Sequence, residues 1–247
     1  MENWMQRTEL MIGKSGMDLL TKSSVLVVGL GGVGGMAAEM VVRAGIGHIT
    51  IADKDIVNET NINRQIVALH DTLLRPKAEV MAERLLQINP QLQLNVINDW
   101  IDEQNTETLL TENKFDFVID AIDTLSPKVF LIKTCLEKNI PIISSMGSGG
   151  KLDPSRVGIT DISKTHTCAL AKTVRQRLNK MGIHKGLPVV FSSEIVNKKV
   201  IIPTDGEKYK KSTTGTISYL PAVFGCFLTS YIIRELLKIP DKEIQQP

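Results

Sequence analysis

The chain has 247 residues, of which 43% are hydrophobic and 4% aromatic, and its formal net charge is +2. This size and apolar content suit one α/β domain with a large core. So few aromatic side chains argue against a stacking platform for single-stranded nucleic acid. Three cysteines without paired spacing argue against a disulfide scaffold, and the first residues lack the pattern of a secretory signal. We therefore expect a cytoplasmic protein.

The predicted elements alternate between strands and helices from residue 24 onward. Strands are expected at residues 25–28, 48–52, 92–97, 115–120 and 140–144, and helices at residues 36–44, 76–88 and 127–138. This βαβ alternation predicts an α/β fold with a doubly wound, mainly parallel, Rossmann-like sheet.

The pattern weakens after residue 150. We expect a helix at residues 167–180, short strands at 189–191 and 200–202, a polar loop at 205–215 and a final helix at 219–238. The sequence thus predicts a single domain over residues 1–247. It comprises an N-terminal helical segment (1–23), a nucleotide-binding core (24–150) and an elaborated C-terminal part (151–247).

Residues 212–233 contain no charged side chain and are long enough to span a bilayer. Pro221, Gly225 and several hydroxyl side chains interrupt this segment. We expect a helix buried in the domain or in a dimer interface, and no stable association with a membrane.

A glycine-rich loop follows the first strand, where Gly29, Gly31, Gly32 and Gly34 form the pattern G-x-G-G-x-G. Glycines let the backbone approach a phosphate, and the N-terminus of the next helix favours negative charge. Asp53, at the end of the second strand, can accept hydrogen bonds from a ribose. Alone, these features would indicate a dehydrogenase that binds NAD.

The residues after Asp53 favour ATP. Arg64 and Lys77 are two cations that suit a chain of phosphates running away from the ribose. The fourth strand ends in a turn with Asp120 and Asp123, and carboxylates there face the ligand crevice and would hold Mg²⁺ beside a polyphosphate. Singly, Arg64 could be a surface cation and Asp123 an N-cap. Their order along the chain favours an ATP site.

This constellation resembles the ThiF/MoeB family, the bacterial relatives of ubiquitin-activating enzymes, over nearly the whole chain. The resemblance implies an enzyme that adenylates a carboxylate, with Arg64, Lys77 and Asp123 in catalysis and Asp123 holding Mg²⁺ through ATP. It also implies a homodimer in which the second subunit supplies Arg7. The residues assigned to ATP are Gly29, Gly31, Gly32, Gly34, Asp53, Asn61, Asn63, Arg64, Gln65, Lys77, Asp123, Thr124 and Arg7 of the other subunit.

The cysteines depart from the pattern of family members that activate a ubiquitin-like sulfur carrier. Those proteins usually have two CxxC pairs for zinc, and many have a reactive cysteine in the loop before the last helix. This chain has no CxxC pair, and residues 197–215 contain no cysteine. Cys135 and Cys226 are expected to be buried, and Cys168 is the only cysteine near polar residues. We do not expect an enzyme thiol to accept the activated carboxylate.

A closer resemblance is to the branch of the family that dehydrates threonylcarbamoyladenosine in tRNA. It is carried by residues 60–66, 77–84, 87–90, 118–123 and 190–194, and by Gly149-Gly150 with Asp153-Pro154. It implies adenylation of the threonine carboxylate, followed by cyclisation of the side chain with loss of AMP. The alternative is adenylation of the C-terminus of a sulfur-carrier protein. A non-catalytic module is a third reading, but it would require the loss of a phosphate-binding residue.

The charge distribution agrees with a tRNA substrate. Residues 162–193 contain no acidic side chain and six lysines and arginines. Such a stretch is typical of a nucleic-acid surface and also of an ordinary solvated face. The candidates for binding tRNA are Lys172, Arg175, Arg177 and Lys180. A sulfur-transfer or cysteine desulfurase system is a further expected partner.

Overall fold

The computed structural model describes residues 4–203 and 212–239. One sheet contains the strands β1 (Ser24–Val28), β2 (His48–Ala52), β3 (Gln93–Ile97), β4 (Phe117–Asp120), β5 (Ile142–Ser145), β6 (Val157–Asp161) and β7 (Pro188–Ser192). Their order is β3-β2-β1-β4-β5-β7-β6. All neighbouring strands are parallel except β6, which runs antiparallel to β7 at the edge. The predicted doubly wound, mainly parallel sheet is therefore confirmed.

Helices cover both faces of this sheet. They are α1 (Gln6–Lys22), α2 (Gly34–Arg43), α3 (Lys77–Ile88), α4 (Glu103–Glu112), α5 (Leu125–Glu137), α6 (Ala169–Lys180) and α7 (Tyr219–Leu236). Val25 and Val27 of β1 belong to a core with α2, α3 and α7, whereas Leu26 and Val28 belong to a second core with α4, α5 and α6. Because side chains alternate along a strand, burial of all four places β1 between two helical layers.

The final helix is buried along one face, as its apolar sequence predicts. Leu220, Phe224 and Leu228 of α7 are fully buried, and Gly225 lies so close to α2 that a Cβ there would be 2.6 Å from the carbonyl oxygen of Val33. Only glycine permits this approach of two helices. Among the helices of the described ranges, none is long and apolar enough to cross a bilayer.

Two elements of the sheet layers are absent from the predictions. The edge strand β6 has the sequence VGITD, in which a glycine and an acid interrupt the apolar alternation. The helix α4 buries only Thr106, Leu109 and Leu110, so its apolar period is short. Its start is instead set by Asp102, whose side chain accepts hydrogen bonds from the backbone nitrogens of Gln104 and Asn105.

The C-terminal part contains a small antiparallel sheet of two strands, β8 (Ile201–Pro203) and β9 (Ser212–Thr214). The prediction of a continuous loop over 205–215 is therefore wrong at its end, because residues 212–214 pair with β8. Residues 205–211 of that loop lie outside the described residues.

Candidate functional site

The glycine loop lies at the carboxyl end of β1 and passes directly into α2. Gly29 has φ +89°, and a Cβ at this position would lie 2.8 Å from the carbonyl oxygen of Ala121 in the turn after β4. A Cβ on Gly34 would lie 1.7 Å from the carbonyl oxygen of Gly29. The loop can therefore close on itself, and it places the N-terminus of α2, which favours an anion, at the carboxyl end of β1.

Asp53 follows β2 and holds the glycine loop in place. Its Oδ2 accepts a hydrogen bond of 2.5 Å from the backbone nitrogen of Leu30, and its Oδ1 accepts one of 2.8 Å from that of Asp55. Burial raises the pKa of the Asp53 carboxyl, while the charge of Lys77 acts in the opposite direction. The acid predicted to bind a ribose thus adjoins both the phosphate loop and a predicted phosphate ligand.

Lys77 is the first residue of α3, and it is only 5% exposed. Its Nζ lies 3.1 Å from Oδ2 of Asp55, and its backbone nitrogen donates to the carbonyl oxygen of the same residue. Asp55 therefore fixes the lysine at both ends. The ammonium is kept beside Asp53, where it can compensate negative charge on a ligand.

Residues 58–65 form a tight polar turn that carries four of the predicted ATP ligands. The Asn61 side chain accepts a hydrogen bond of 3.2 Å from the backbone nitrogen of Asn58. Asn63 donates from Nδ2 to the carbonyl oxygen of Thr216 at 2.9 Å and accepts at Oδ1 from Arg64. Within the described ranges, the buried Oε1 of Gln65 has no hydrogen-bond partner. Such an atom beside a glycine loop indicates a place for a polar ligand.

A fully buried ion pair lies under the turn after β4. Lys128 Nζ is 2.8 Å from Oδ2 of Asp120 and donates to the carbonyl oxygen of Ile122 at 2.9 Å. Ser144 donates to Asp120 at 2.5 Å, and the backbone nitrogen of Ile122 does so at 3.1 Å. These bonds fix the backbone immediately before Asp123. Asp120 is thus engaged in an ion pair and hydrogen bonds within the fold, and Asp123 is the exposed carboxylate of the turn.

Arg64, in the turn after β2, and Asp123, in the turn after β4, lie on opposite sides of the crevice and interact through their charges. Burial lowers the pKa of the Arg64 guanidinium, and the charge of Asp123 counteracts this effect. Asp123 is followed by Thr124 at the N-cap position of α5, although the Thr124 side chain makes no capping hydrogen bond. Arg64, Lys77 and the carboxylate of Asp123 therefore lie near the carboxyl ends of the strands β1, β2 and β4. That arrangement can hold a nucleotide and neutralise its phosphates.

Arg7 lies apart from this group in the described chain. It is exposed in the first turn of α1, on the segment that precedes β1. Its assignment to the ATP site depends on a second subunit and remains a prediction.

The predicted tRNA ligands on α6 fall into two classes. Lys172, Arg177 and Lys180 are exposed, and Arg177 donates to Ser126 Oγ at 3.0 Å. Arg175 is half-buried and donates to the carbonyl oxygen and hydroxyl of Thr165 at 3.0 and 2.5 Å. Arg175 thus ties α6 to the turn that precedes it, whereas the contact of Arg177 is with α5.

The burial of the three cysteines differs from the prediction at one position. Cys135 is fully buried, and burial raises the pKa of its thiol to about 12. Cys168 is also buried. Cys226 is exposed, so its predicted burial is wrong: it occupies a face of α7 that does not pack against α2. The apolar composition of α7 concealed this difference between its faces.

Sequence reasoning also missed supporting residues around the site. Asp55 and Lys128 orient Lys77 and the turn before Asp123, and neither is among the predicted site residues. Charge patterning alone offers no signal for Asp55, which is followed by neutral residues. The available signal for Lys128 is a lysine directly before the apolar run 129–132 of α5.

Comparison with known proteins gives consistent matches over nearly the full length. A model described as the ThiF family matches residues 5–246. A tRNA threonylcarbamoyladenosine dehydratase of Bacillus subtilis (strain 168) is 42% identical over 247 residues, covering 97% of this chain and 96% of the relative. The protein of that name from Escherichia coli (strain K12) is 36% identical over 257 residues, covering 95% and 94%. A crystal structure of the E. coli enzyme in complex with ATP has a TM-score of 0.85 at 35% identity, and the match covers 99% of this chain and 98% of that one.

Proposed function

The chain belongs to the ThiF family, and from this premise we propose that it is an ATP-dependent tRNA threonylcarbamoyladenosine dehydratase. The observation that carries the proposal is the convergence of the glycine loop, Asp53, Lys77, Arg64 and Asp123 at one edge of the sheet. Relatives with this name match along nearly the whole chain, and one of them has been crystallised with ATP.

The reaction converts a carboxylate into a mixed anhydride with AMP. ATP lies with its ribose at Asp53 and its phosphates along the glycine loop, between Lys77 and Arg64. The threonine carboxylate of the modified adenosine attacks the α-phosphate and pyrophosphate leaves. Arg64 and Lys77 stabilise the charge that develops on the phosphoryl oxygens.

Mg²⁺ fits the same turn by its preference for oxygen ligands. Asp120 is engaged by Lys128 and Ser144, so Asp123 is the carboxylate of this turn that we assign to the ion. Held by Asp123, Mg²⁺ would supply positive charge that reduces the repulsion between the phosphates and the incoming carboxylate.

Ring closure needs no enzyme thiol, because the second nucleophile belongs to the same side chain as the activated carboxyl. Proximity within one molecule can supply ~7–11 kcal/mol of the barrier. The burial of Cys135 and Cys168 agrees with this route. The second candidate, adenylation of a sulfur-carrier protein, is less favoured because the sequence lacks the CxxC pairs of many such enzymes.

The remaining assignments follow from this activity. We propose that residues 1–247 act as one adenylating domain in the cytoplasm, with tRNA on the exposed cations of α6. We further propose a homodimer in which Arg7 reaches the second subunit's ATP. A sulfur-transfer or cysteine desulfurase partner is proposed on the same resemblance.

A direct assay separates the two candidate activities. The protein is incubated with ATP, Mg²⁺ and tRNA that carries threonylcarbamoyladenosine, and the digested nucleosides are weighed. We expect the nucleoside to lose one water as AMP is released. An unchanged nucleoside mass, together with ATP–pyrophosphate exchange that a ubiquitin-like protein stimulates, would favour the alternative.

Site variants test the residue assignments. We expect Arg64→Ala and Asp123→Ala each to reduce turnover at least ~100-fold, because each removes a charge that acts on the phosphates. Lys133→Ala and Glu137→Ala break a surface ion pair of 3.4 Å on α5 and serve as matched controls. Near-normal turnover in either site variant would refute its assignment.

A further inference from the structure

An aromatic side chain lies at the edge of the sheet beyond the ribose acid. Trp100 comes three residues after the end of β3, and the backbone nitrogen of Asp53 donates to the carbonyl oxygen of Ile97 at the end of the same strand. Lys54, the next residue after Asp53, places its Nζ 3.4 Å from the centroid of the Trp100 ring. The indole therefore adjoins the nucleotide crevice.

The start of α4 holds this tryptophan in place. Its backbone nitrogen donates to Oδ1 of Asp99 at 2.7 Å, and its carbonyl oxygen accepts a hydrogen bond from Asn105 Nδ2. Asn105 also accepts from the backbone nitrogen of Asp102 in the capping box of α4. The ring is thus attached to a helix terminus whose conformation is fixed by several hydrogen bonds.

Strand order gives the direction in which a nucleotide must lie. The phosphate loop follows β1, Asp53 follows β2, and β3 is the next strand outward. A nucleotide with its phosphates at the loop and its ribose at Asp53 therefore extends its base over the carboxyl end of β3. Trp100 is the aromatic side chain at that position.

We propose that Trp100 is the base platform of the nucleotide site, on which adenine stacks across the ring face that Lys54 now covers. This assignment rests on the proposed use of ATP. The chain is too poor in aromatic residues to bind a run of bases, but one indole is sufficient for a single purine.

Lys54 can leave the ring when a base arrives. Its side chain is 38% exposed, and Oδ1 of Asp55 lies 3.9 Å from its Nζ as another partner. An exposed cation–π contact contributes about 2- to 5-fold to an equilibrium, whereas stacking of a base on an aromatic side chain contributes about 5- to 150-fold. The stacked base therefore prevails over the lysine.

Fluorescence reports the contact directly, because the chain has only two tryptophans, Trp4 and Trp100. In a Trp4→Phe variant of the full chain, Trp100 is the sole indole. We expect ATP to change the emission of this variant at saturation, whereas inorganic tripolyphosphate, which has no base, should leave it nearly unchanged. Equal responses to both ligands would overturn the proposal.

Affinities separate a stacking role from a structural one. By calorimetry, Trp100→Ala should raise the Kd for ATP about 5- to 150-fold and leave that for tripolyphosphate within about twofold. Trp100→Phe, which retains an aromatic face, should restore most of the ATP affinity. The proposal fails if Trp100→Ala binds ATP as the parent does, or if it weakens both ligands equally.

The same measurements distinguish this inference from the proposed function. If the parent chain binds no ATP, the proposed function fails as well. If the parent binds ATP and dehydrates the tRNA while Trp100→Ala retains its ATP affinity, only the assignment of Trp100 is wrong.

Discussion

At the residue scale, the site depends on charges that the fold has already paired. Asp120 and Lys128 are both fully buried, and each makes further hydrogen bonds to the backbone of Ile122. A charge removed from water is costly unless a partner and hydrogen bonds compensate it. Here the hydrogen bonds that compensate the two charges also fix the backbone of the turn that carries Asp123.

Truncation of this lysine should therefore destabilise the fold. Lys128→Ala leaves Asp120 charged and buried without its partner, so we expect a loss of ~3–5 kcal/mol in the free energy of unfolding. Lys133→Ala, a surface lysine on the same helix, should change it by less than ~0.5 kcal/mol. Denaturation with urea measures both, and equal stability of the two variants would contradict this role.

The sequence predicts where the candidate site residues lie in the fold better than it predicts the residues that support them. Asp53, Lys77 and Asp123 lie at strand ends or helix starts, where strand periodicity and βα connection rules place ligand-binding groups. The partners Asp55 and Lys128 act through three-dimensional contacts. Such contacts depend on packing between elements, which one sequence without a fold does not reveal.

At the element scale, the junction of β1 and α2 has almost no free space. Gly34 faces the carbonyl oxygen of Gly29, and Gly225 lets α7 approach α2 closely. Gly31, in the same loop, has more room, since a Cβ there would meet only Nε2 of Gln65, at 3.7 Å.

Two alanine substitutions in this loop should therefore differ sharply. Gly34→Ala would force a backbone shift, and we expect it to reduce the free energy of unfolding by more than ~3 kcal/mol or to prevent folding. Gly31→Ala should stay within ~1 kcal/mol of the parent. Thermal and chemical unfolding of both proteins test this contrast. A folded Gly34→Ala variant of parental stability would disprove the close approach.

Elements differ in how far the sequence predicts them. The strands β1 and β2 are buried on both faces, so their continuous apolar runs predict them well. The strand β6 pairs on one side only, and α4 is amphipathic over too few turns, so tertiary contacts decide both. The two faces of α7 could not be separated for a similar reason: its first ten residues, 219–228, carry no charged side chain, although Cys226 among them is exposed.

At the scale of the whole molecule, we expect the tRNA to bind a cationic face outside the nucleotide crevice. Lys172, Arg177 and Lys180 lie exposed along α6, and Arg177 reaches Ser126 in the first turn of α5, close to Asp123. A tRNA bound along α6 would therefore lie beside the reactive turn.

Salt titration tests this face. Replacing Lys172, Arg177 and Lys180 together by alanine should weaken tRNA binding and reduce the slope of log K against log salt by ~2–3, since each phosphate contact contributes ~0.7–0.9. Arg175 is left in place because it bonds to Thr165. A matched triple variant at Lys114, Lys133 and Lys138 should keep the parental slope. An unchanged slope in the α6 variant would return this face to an ordinary solvated surface.

The complete burial of the Asp120–Lys128 ion pair has a consequence for such titrations with salt. Mobile ions screen charges that water can reach, over a Debye length of ~10 Å at 0.1 M, and they act much less on a pair sealed from solvent. Salt that releases tRNA from α6 should therefore leave the anchor of Asp123 intact. Ionic strength can then change how tightly the tRNA is bound without changing the integrity of the reactive turn in the same protein.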